Sequence, residues 1–368
     1  RRLARLLHEL RVVKSDAEVA LIRRACGITG QGFRRLLHTV RPGTMEYQVE
    51  AELSHEFIGH RAQFAYNPII ASGANACTLH YNQNDQPCRD GDLLLLDVAA
   101  CYANYQSDLT RTIPVGGRFT KRQRQVYDAV LRSLRAATRA AVPGKLHKDW
   151  QQESEKIVEE ELLRLGLLKP RDIQRQDPAK PAVKKYFMHG TSHFLGLNTH
   201  DYGILTEPIQ ANMVFTVEPG IYIPAEGFGI RLEDNVVVQE KSEPFNLMCN
   251  IPIEIEEIDI HERSKSKRKD LSVFFEESKE YNRKIQEKKT KEKKNPKVLK
   301  NIETESSNSN ENDVYIFRNI EYSEIEDFIE YLDSNYLDIE NISKEALKDE
   351  KYYEWLSNSP FWSSKTVQ

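Results

Sequence analysis

The sequence predicts an α+β protein of two similar halves followed by a charged helical C-terminal extension. Three observations predict it. Residues 1–260 run in the order helix, helix, strands, helix, helix, strands. The strand candidates are β-branched or aromatic runs broken by Gly, Pro and Asn, whereas the helix candidates are amphipathic. Composition then changes near residue 260: 22 Arg and 10 Lys lie before it, 4 Arg and 16 Lys after it.

Residues 1–10, RRLARLLHEL, are basic without a 7 to 15 residue apolar core or an initiator Met, so a cut or processed start is expected. Ser15 and Asp16 open a helix at AEVALIRRACGITGQGFRRLL, and Arg41-Pro42-Gly43 ends it. Thr44 caps a second helix to about His55. FAYNPIIASG, DLLLLDVAACYANYQSDLTRTIPVGG and NMVFTVEPGIYI read as strands. Between them TKRQRQVYDAVLRSLRAATRAAV and KDWQQESEKIVEEELLRLG read as helices. The Lys-rich run 263–300 is a charged helix, and 302–313, IETESSNSNEND, is too polar to bury a core. Ile320, Ile325, Phe328, Ile329 and Leu332 then recur near helical spacing. The expected division is 1–260 as one catalytic unit, 261–313 as charged helix and linker, and 314–368 as a small acidic helical module of unknown role.

Composition removes several classes of function. The 368 residues allow two or three domains and contain no run near the ~20 apolar residues of a membrane span. With 52 basic and 56 acidic residues the net charge is -4, which supplies no positive field for nucleic acid. Cys26, Cys77, Cys88, Cys101 and Cys249 are odd in number and lack paired C-x-x-C spacing, so a reducing, cytoplasmic compartment is expected.

Four elements carry candidate chemistry. LLLLDVAACYANYQSDLTRT is a hairpin whose tip falls near Ala103 and Asn104. If Tyr102 pairs with Tyr105, Ala99 faces Asp108, and Asp97 shares that face because strand side chains alternate. The two carboxylates become diagonal neighbours about 7 to 8 Å apart, within reach of two metals. An Asp on a Leu-rich buried strand is costly unless paired or ligated, although in an isolated hairpin a turn-capping Asp97 and a solvated Asp108 are commoner. MHGTSHFLGLNTHD places His189, His193 and His200 within twelve positions, with Gly190 and Gly196 favouring an irregular strand or loop. Imidazole is the commonest metal ligand and a general acid or base near neutrality, but a buried histidine is equally often a hydrogen-bonded core residue. VFTVEPG ends a strand at Glu218, and GIRLEDNVVV puts Arg231 and Glu233 on one strand face, where a salt bridge alone would also explain them.

In that order, TLHY around His80, Asp97 and Asp108, HGTSHFLGLNTHD, TVEPG and GIRLED resemble the pita-bread metallopeptidases. Within that family the similarity is greatest to the Xaa-Pro aminopeptidases, the aminopeptidase P branch, from about Val12 to Ile258. The resemblance implies a curved antiparallel sheet between the two halves and two divalent metals, commonly manganese, held by Asp97, Asp108, His193, Glu218 and Glu233. A metal-bridging hydroxide would attack the bond between an N-terminal residue and a penultimate proline, with Glu218 as proton acceptor. His80, His189 and His200 resemble the histidines that position substrate, and Arg231 the arginine beside the site, expected to fix Glu233 and a substrate group through its rigid fork. One imidazole among carboxylates suits hard or borderline ions such as Mn²⁺.

Relatives of this type carry an amino-terminal domain before the catalytic one, whereas this sequence starts close to the first catalytic helix. Weakened homo-oligomer contacts and relaxed selectivity are therefore expected. The expected partner is a peptide with penultimate proline. A prolidase restricted to Xaa-Pro dipeptides shares the same ligands, and a non-catalytic peptide-binding module would be expected to lose some of them.

Overall fold

The computed structural model describes residues 2–259. The Lys-rich helix, the linker and the acidic module expected after residue 260 lie outside the described residues. A helix α1 (Arg2–Val12) leads into α2 (Asp16–Thr39) and α3 (Glu46–Gly59). Then come β1 (Gln63–Phe64), β2 (Ile69–Ser72), β3 (Leu93–Asp97), β4 (Ala100–Tyr102), β5 (Tyr105–Gln106) and β6 (Thr110–Pro114). The second half repeats the plan with α4 (Lys121–Ala140), α5 (His147–Arg164) and a short α6 (Pro170–Gln174). Its strands are β7 (Val214–Val217), β8 (Gly220–Ile223), β9 (Phe228–Arg231), β10 (Asp234–Val237) and β11 (Phe245–Asn246), and α7 (Ile255–Ile258) comes last. No helix among the described residues is long and apolar enough to cross a membrane.

The two halves match in detail. Ser15 caps α2 in a reciprocal box with Glu18, and Thr120 caps α4 in the same way with Gln123. The helix-to-helix turns hold Gly43 at φ 91° and Gly144 at φ 86°, values that favour glycine. Their amides donate to the carbonyls of Cys88 and Ile209, 2.8 and 2.9 Å away. The second helix of each pair starts one residue after an isolated bridge, Met45 to Pro87 and Leu146 to Pro208. That bridge moves the cap from the expected Thr44 to Met45. Thr44 Oγ1 accepts instead from the Arg41 amide at 3.3 Å, and the Gln48 side chain accepts from the Met45 amide at 2.9 Å.

The sheets match too, and all ladders are antiparallel. In the first half β3 lies between β2 and β6, with Asp97 opposite Ile69 on one side and Thr110 on the other. In the second half β7 pairs with β10, Val217 opposite Asp234. On the far side of β7 runs an irregular segment in which Phe194 bridges Phe215 and the Glu218 amide donates to the Thr191 carbonyl at 2.8 Å. Asp97 and Glu218 thus occupy equivalent strand ends. His193, whose carbonyl accepts from the Thr216 amide, stands where the first half has Ala71. Gly190 and Gly196 flank a segment with bridge pairing but no regular strand, as expected for it.

One core joins the halves. Phe33 and Leu36 of α2, Leu53 and Phe57 of α3, Leu94 and Leu96 of β3, Val130 of α4, Trp150 of α5 and Phe215 of β7 are all essentially inaccessible. Each such aliphatic or aromatic side chain contributes roughly 1.5–3 kcal/mol on burial. The Trp150 indole also donates to the Ala137 carbonyl at 2.8 Å, so α5 is tied to α4 without leaving a buried polar group unpaired.

Candidate metal centre

The hairpin that carries two of the expected ligands forms with its expected tip. Tyr102 pairs with Tyr105, and Ala103 and Asn104 take φ of 48° and 67°. It is interrupted between β3 and β4, yet Val98 N–H donates to Leu109 and Ser107 N–H to Ala100, which keeps one register through the break. Ala99 therefore lies across from Asp108, and Asp97 and Asp108 share a face. The ladder bond missing at the break is that of the Ala100 amide, which donates instead to Thr29 Oγ1 of α2 at 2.9 Å. On the outer edge of the hairpin the Asn235 side chain of β10 accepts from the Asp108 amide at 2.9 Å and donates to the Asp108 carbonyl at 2.7 Å.

All nine sequence-selected residues line one cavity of about 390 Å³: His80, Asp97, Asp108, His189, His193, His200, Glu218, Arg231 and Glu233. Asp108, His193 and Glu233 each present a donor atom within 4.8 Å of the other two. His193 Nδ1 donates to the Phe194 carbonyl at 3.0 Å, which leaves Nε2 aimed at Asp108 (3.3 Å) and Glu218 (3.6 Å). An imidazole whose other nitrogen is tied to a carbonyl is fixed in the tautomer and direction a ligand requires.

The electrostatics reflect crowded carboxylates. Burial raises the Glu233 pKa well above its ordinary value, reinforced by Asp108, Glu218 and Asp97. Burial likewise raises Glu218 to about 7 against the charges of His193 and Arg231. Asp97 is raised by burial and by Asp108, with Arg231 opposing. His193 is pulled down by burial, but the hydrogen bond and charge of Asp108 and the charge of Glu218 outweigh it and hold the ring at about 9. Like charges gathered in a low-dielectric cleft are what a divalent cation relieves. The donor set of carboxylates and one free imidazole fits such an ion.

The Arg231 fork differs from its expected use. It reaches Asp97 at 2.5 Å, Tyr222 Oη at 2.7 Å and Thr110 Oγ1 at 3.0 Å, rather than fixing Glu233 directly. Between β9 and β10 Glu233 pairs with Thr110 in an isolated antiparallel bridge, and Thr110 Oγ1 donates to the Glu233 carboxylate at 2.6 Å as the intermediary. The chain of bonds continues from Arg231 to Tyr222, whose hydroxyl donates to His189 Nε2 at 2.8 Å, while His189 Nδ1 donates to the Gly190 carbonyl at 2.7 Å. Both His189 nitrogens are engaged, and burial with the nearby Arg231 charge lowers its pKa to about 3. His80 and His200 stand exposed at the rim, and the His200 ring packs edge-on against His193 at 4.3 Å.

Four residues escaped the sequence reading. Tyr66, in the FAYN run, places its hydroxyl 2.6 Å from both Asp97 and Asp108. One hydroxyl proton satisfies only one of them, which agrees with the raised Asp97 pKa. Tyr222, Asn235 and Arg111 were also missed. Arg111 is fully buried and holds the Glu233 carbonyl at 2.7 Å and Asp234 at 2.6 Å. The available signal was alternation: Arg111 follows Thr110 on a buried strand, so one of the two had to point away from the site.

Comparison with known proteins fits this geometry. The chain is 41% identical over 267 residues to an Xaa-Pro aminopeptidase of Escherichia coli, covering 69% of the chain and 60% of the relative. A Haemophilus influenzae Xaa-Pro aminopeptidase is 39% identical, with 69% and 61% covered. The solved structure of zinc-substituted E. coli aminopeptidase P in complex with product has a TM-score of 0.66 at 39% identity, covering 72% of this chain and 62% of that one. The chain thus spans about three fifths of the length of the bacterial relatives it matches. The model of metallopeptidase family M24 matches residues 20–240, a span that contains all nine of these cavity residues, and the chain belongs to that family.

Proposed function

We propose that this chain is a metallo-aminopeptidase that hydrolyses the bond between an N-terminal residue and a penultimate proline. The observation that carries the reading is the convergence of Asp97, Asp108, His193, Glu218 and Glu233 on one cavity, with His193 Nε2 turned toward the carboxylates. These five would hold two divalent ions, manganese by the hardness of an oxygen-rich donor set. Bound there, such ions supply Lewis acidity toward a carbonyl and lower the pKa of water.

The chain's own residues do the rest. Glu218, which burial raises to about 7 in the metal-free cavity, would be the acceptor of a proton from the attacking water. Arg231 opposes the rise of the Asp97 pKa and orients that carboxylate, and Tyr66 bridges the two hairpin carboxylates. His80 and His200 face the substrate from the rim, whereas His189, saturated and neutral, forms a fixed wall. The catalytic unit would end near residue 260, since among the described residues every cavity residue precedes Asp234. Cys26, Cys77, Cys88 and Cys101 are free thiols, which suits a reducing compartment such as the cytoplasm.

The test is metal analysis and hydrolysis by the whole chain, the His193→Ala variant and the His200→Ala variant. His193→Ala should lose metal, and His200→Ala should keep it while turning over more slowly. Equal metal loss in both would overturn the division of roles. Cleavage of an Xaa-Pro dipeptide but no Xaa-Pro-Yaa tripeptide would replace this reading with a prolidase. Metal uptake without hydrolysis of either would leave a binding module.

A further inference from the structure

We infer that Lys14 and Arg11 are positioning residues for the reaction: their ion pairs with a buried Asp201 fix the loop that carries His200 at the rim of the cavity. The inference rests on His200 facing substrate. Asp201 directly follows His200, and its carboxylate is 1% exposed. It meets Arg11 at 2.5 Å and Lys14 at 3.2 Å, and the Lys14 side chain is itself 1% exposed. The same carboxylate accepts the Tyr202 amide at 2.9 Å, and the Asp201 amide donates to the Phe194 carbonyl at 2.9 Å, closing the loop on itself.

The surroundings are built around this contact. A Cβ on Gly196 would lie 2.2 Å from Asp201 Oδ2 and 3.0 Å from Lys14 Cε, so only glycine lets the pair close there. The Gly196 carbonyl accepts from the Gln106 amide at 2.8 Å, which ties the loop to the hairpin bearing Asp97 and Asp108. Arg11 also reaches Asn198 at 2.5 Å and lies over the Tyr202 ring at 4.8 Å, while His8 stacks on that ring at 4.6 Å. On the other side, the Lys14 amide donates to the Asn212 carbonyl at 2.9 Å, anchoring the junction of α1 and α2 near the start of β7.

Packing alone would not favour this arrangement. Burying a lysine is costly, and a buried ion pair is a poor route to stability compared with apolar residues of like volume. What two cations on one carboxylate do supply is direction. With Asp201 fixed, the backbone one residue before it is fixed, and the His200 ring is held against His193.

The experiment uses the full chain with Lys14→Met, His200→Ala and the double variant, read by metal content, steady-state kinetics and histidine side-chain NMR. Lys14→Met should retain metal, shift the His200 resonance while leaving His80 and His189 in place, and lower kcat by about tenfold or more, with KM changed far less. In the His200→Ala background the same change should cost little further, because its target is gone. An unshifted His200 resonance, or equal losses in both backgrounds, would overturn the inference and leave Lys14 a packing residue. Should Lys14→Met fail to fold, Arg11→Met, at a partly exposed side chain, reads the same contact by a smaller shift of His200, and no shift there refutes it. A chain that cleaves no Xaa-Pro peptide would overturn the proposed activity, yet the resonance would still decide this point.

Discussion

Protons and metal should compete for the cavity, and the competition has a calculable slope. His193 sits at about 9 and Glu218 at about 7 in the metal-free protein. A ligand imidazole and a ligand carboxylate must both be deprotonated. At pH 7 about one His193 in a hundred and about half of Glu218 meet that requirement, so apparent affinity should lie roughly 100- to 200-fold below its alkaline limit. It should climb about tenfold per pH unit between pH 7 and 9, with about one proton released per site occupied through His193. Both folded-state pKa values lie above their ordinary values of 6.5 and 4.5, so the metal-free fold binds more protons than the unfolded chain. The Glu218 contribution, lost between pH 4.5 and 7, is offset below pH 6.5 by the lowered His189, so the net fall in stability with rising pH should be read through His193 between pH 6.5 and 9. The His193 contribution is on the order of 3 kcal/mol. His189, at about 3, is neutral in both states above pH 7 and does not obscure the alkaline window. The assay is calorimetric titration of chelator-treated protein with Mn²⁺ at pH 7, 8 and 9 in buffers of different ionisation enthalpy, with thermal melts of the metal-free protein alongside. An affinity flat across that range with no proton release would refute the reasoning.

Tyr66→Phe removes the hydroxyl shared by Asp97 and Asp108 and should destabilise the metal-free protein by about 1–3 kcal/mol. The loss should shrink once Mn²⁺ is bound; equal losses in urea with and without metal would count against the bridging role. Glu46 is fully buried and accepts from Ser72 N (2.8 Å), Asn75 Nδ2 (3.2 Å), Tyr81 Oη (2.7 Å) and Gln86 N (2.9 Å). Glu46→Gln keeps one accepting oxygen for them and should cost about 3 kcal/mol in denaturant unfolding; a change near zero would mean these donors find other partners. Truncation after Ile260 should leave metal content and the rate on a short Xaa-Pro peptide unchanged, and a truncated protein that holds metal but has lost hydrolysis would show that the tail completes the cleft.

Much of the site was legible because it depends on strand alternation and residue chemistry. The Tyr102 to Tyr105 pairing puts Asp97 and Asp108 on one face from the sequence pattern alone, and the glycines around His193 announce an irregular segment. The partners that arrive from elsewhere in the chain were not legible. Tyr66 stands 31 residues before Asp97, and Asn235 bonds the backbone of Asp108 from the other half of the molecule. Neither contact leaves a local signal. The cap of α3 failed for a related reason: Thr44 is the better capping residue by chemistry, but the bridge between Met45 and Pro87 delays the helix. The arginine fork was misdirected because Glu233 pairs with Thr110 of the first half, a long-range bridge that puts the Thr110 hydroxyl between the two and that period-two reasoning does not foresee.

The mismatch between Ala71 and His193 at equivalent places in the two halves gives the centre a polarity that its scaffold lacks. Around His193 three donors already stand within 4.8 Å of one another, so above pH 9, once the His193 proton has left, an ion entering there finds its coordination assembled. At the equivalent end of the first half, Asp97 has one oxygen against Arg231 and the other against Tyr66, and an ion must displace one of them first. If two ions bind as proposed, they are therefore not interchangeable. Filling should be stepwise, with the imidazole side occupied at low metal concentration and the Asp97 side only at higher, and a half-filled species should be isolable between them.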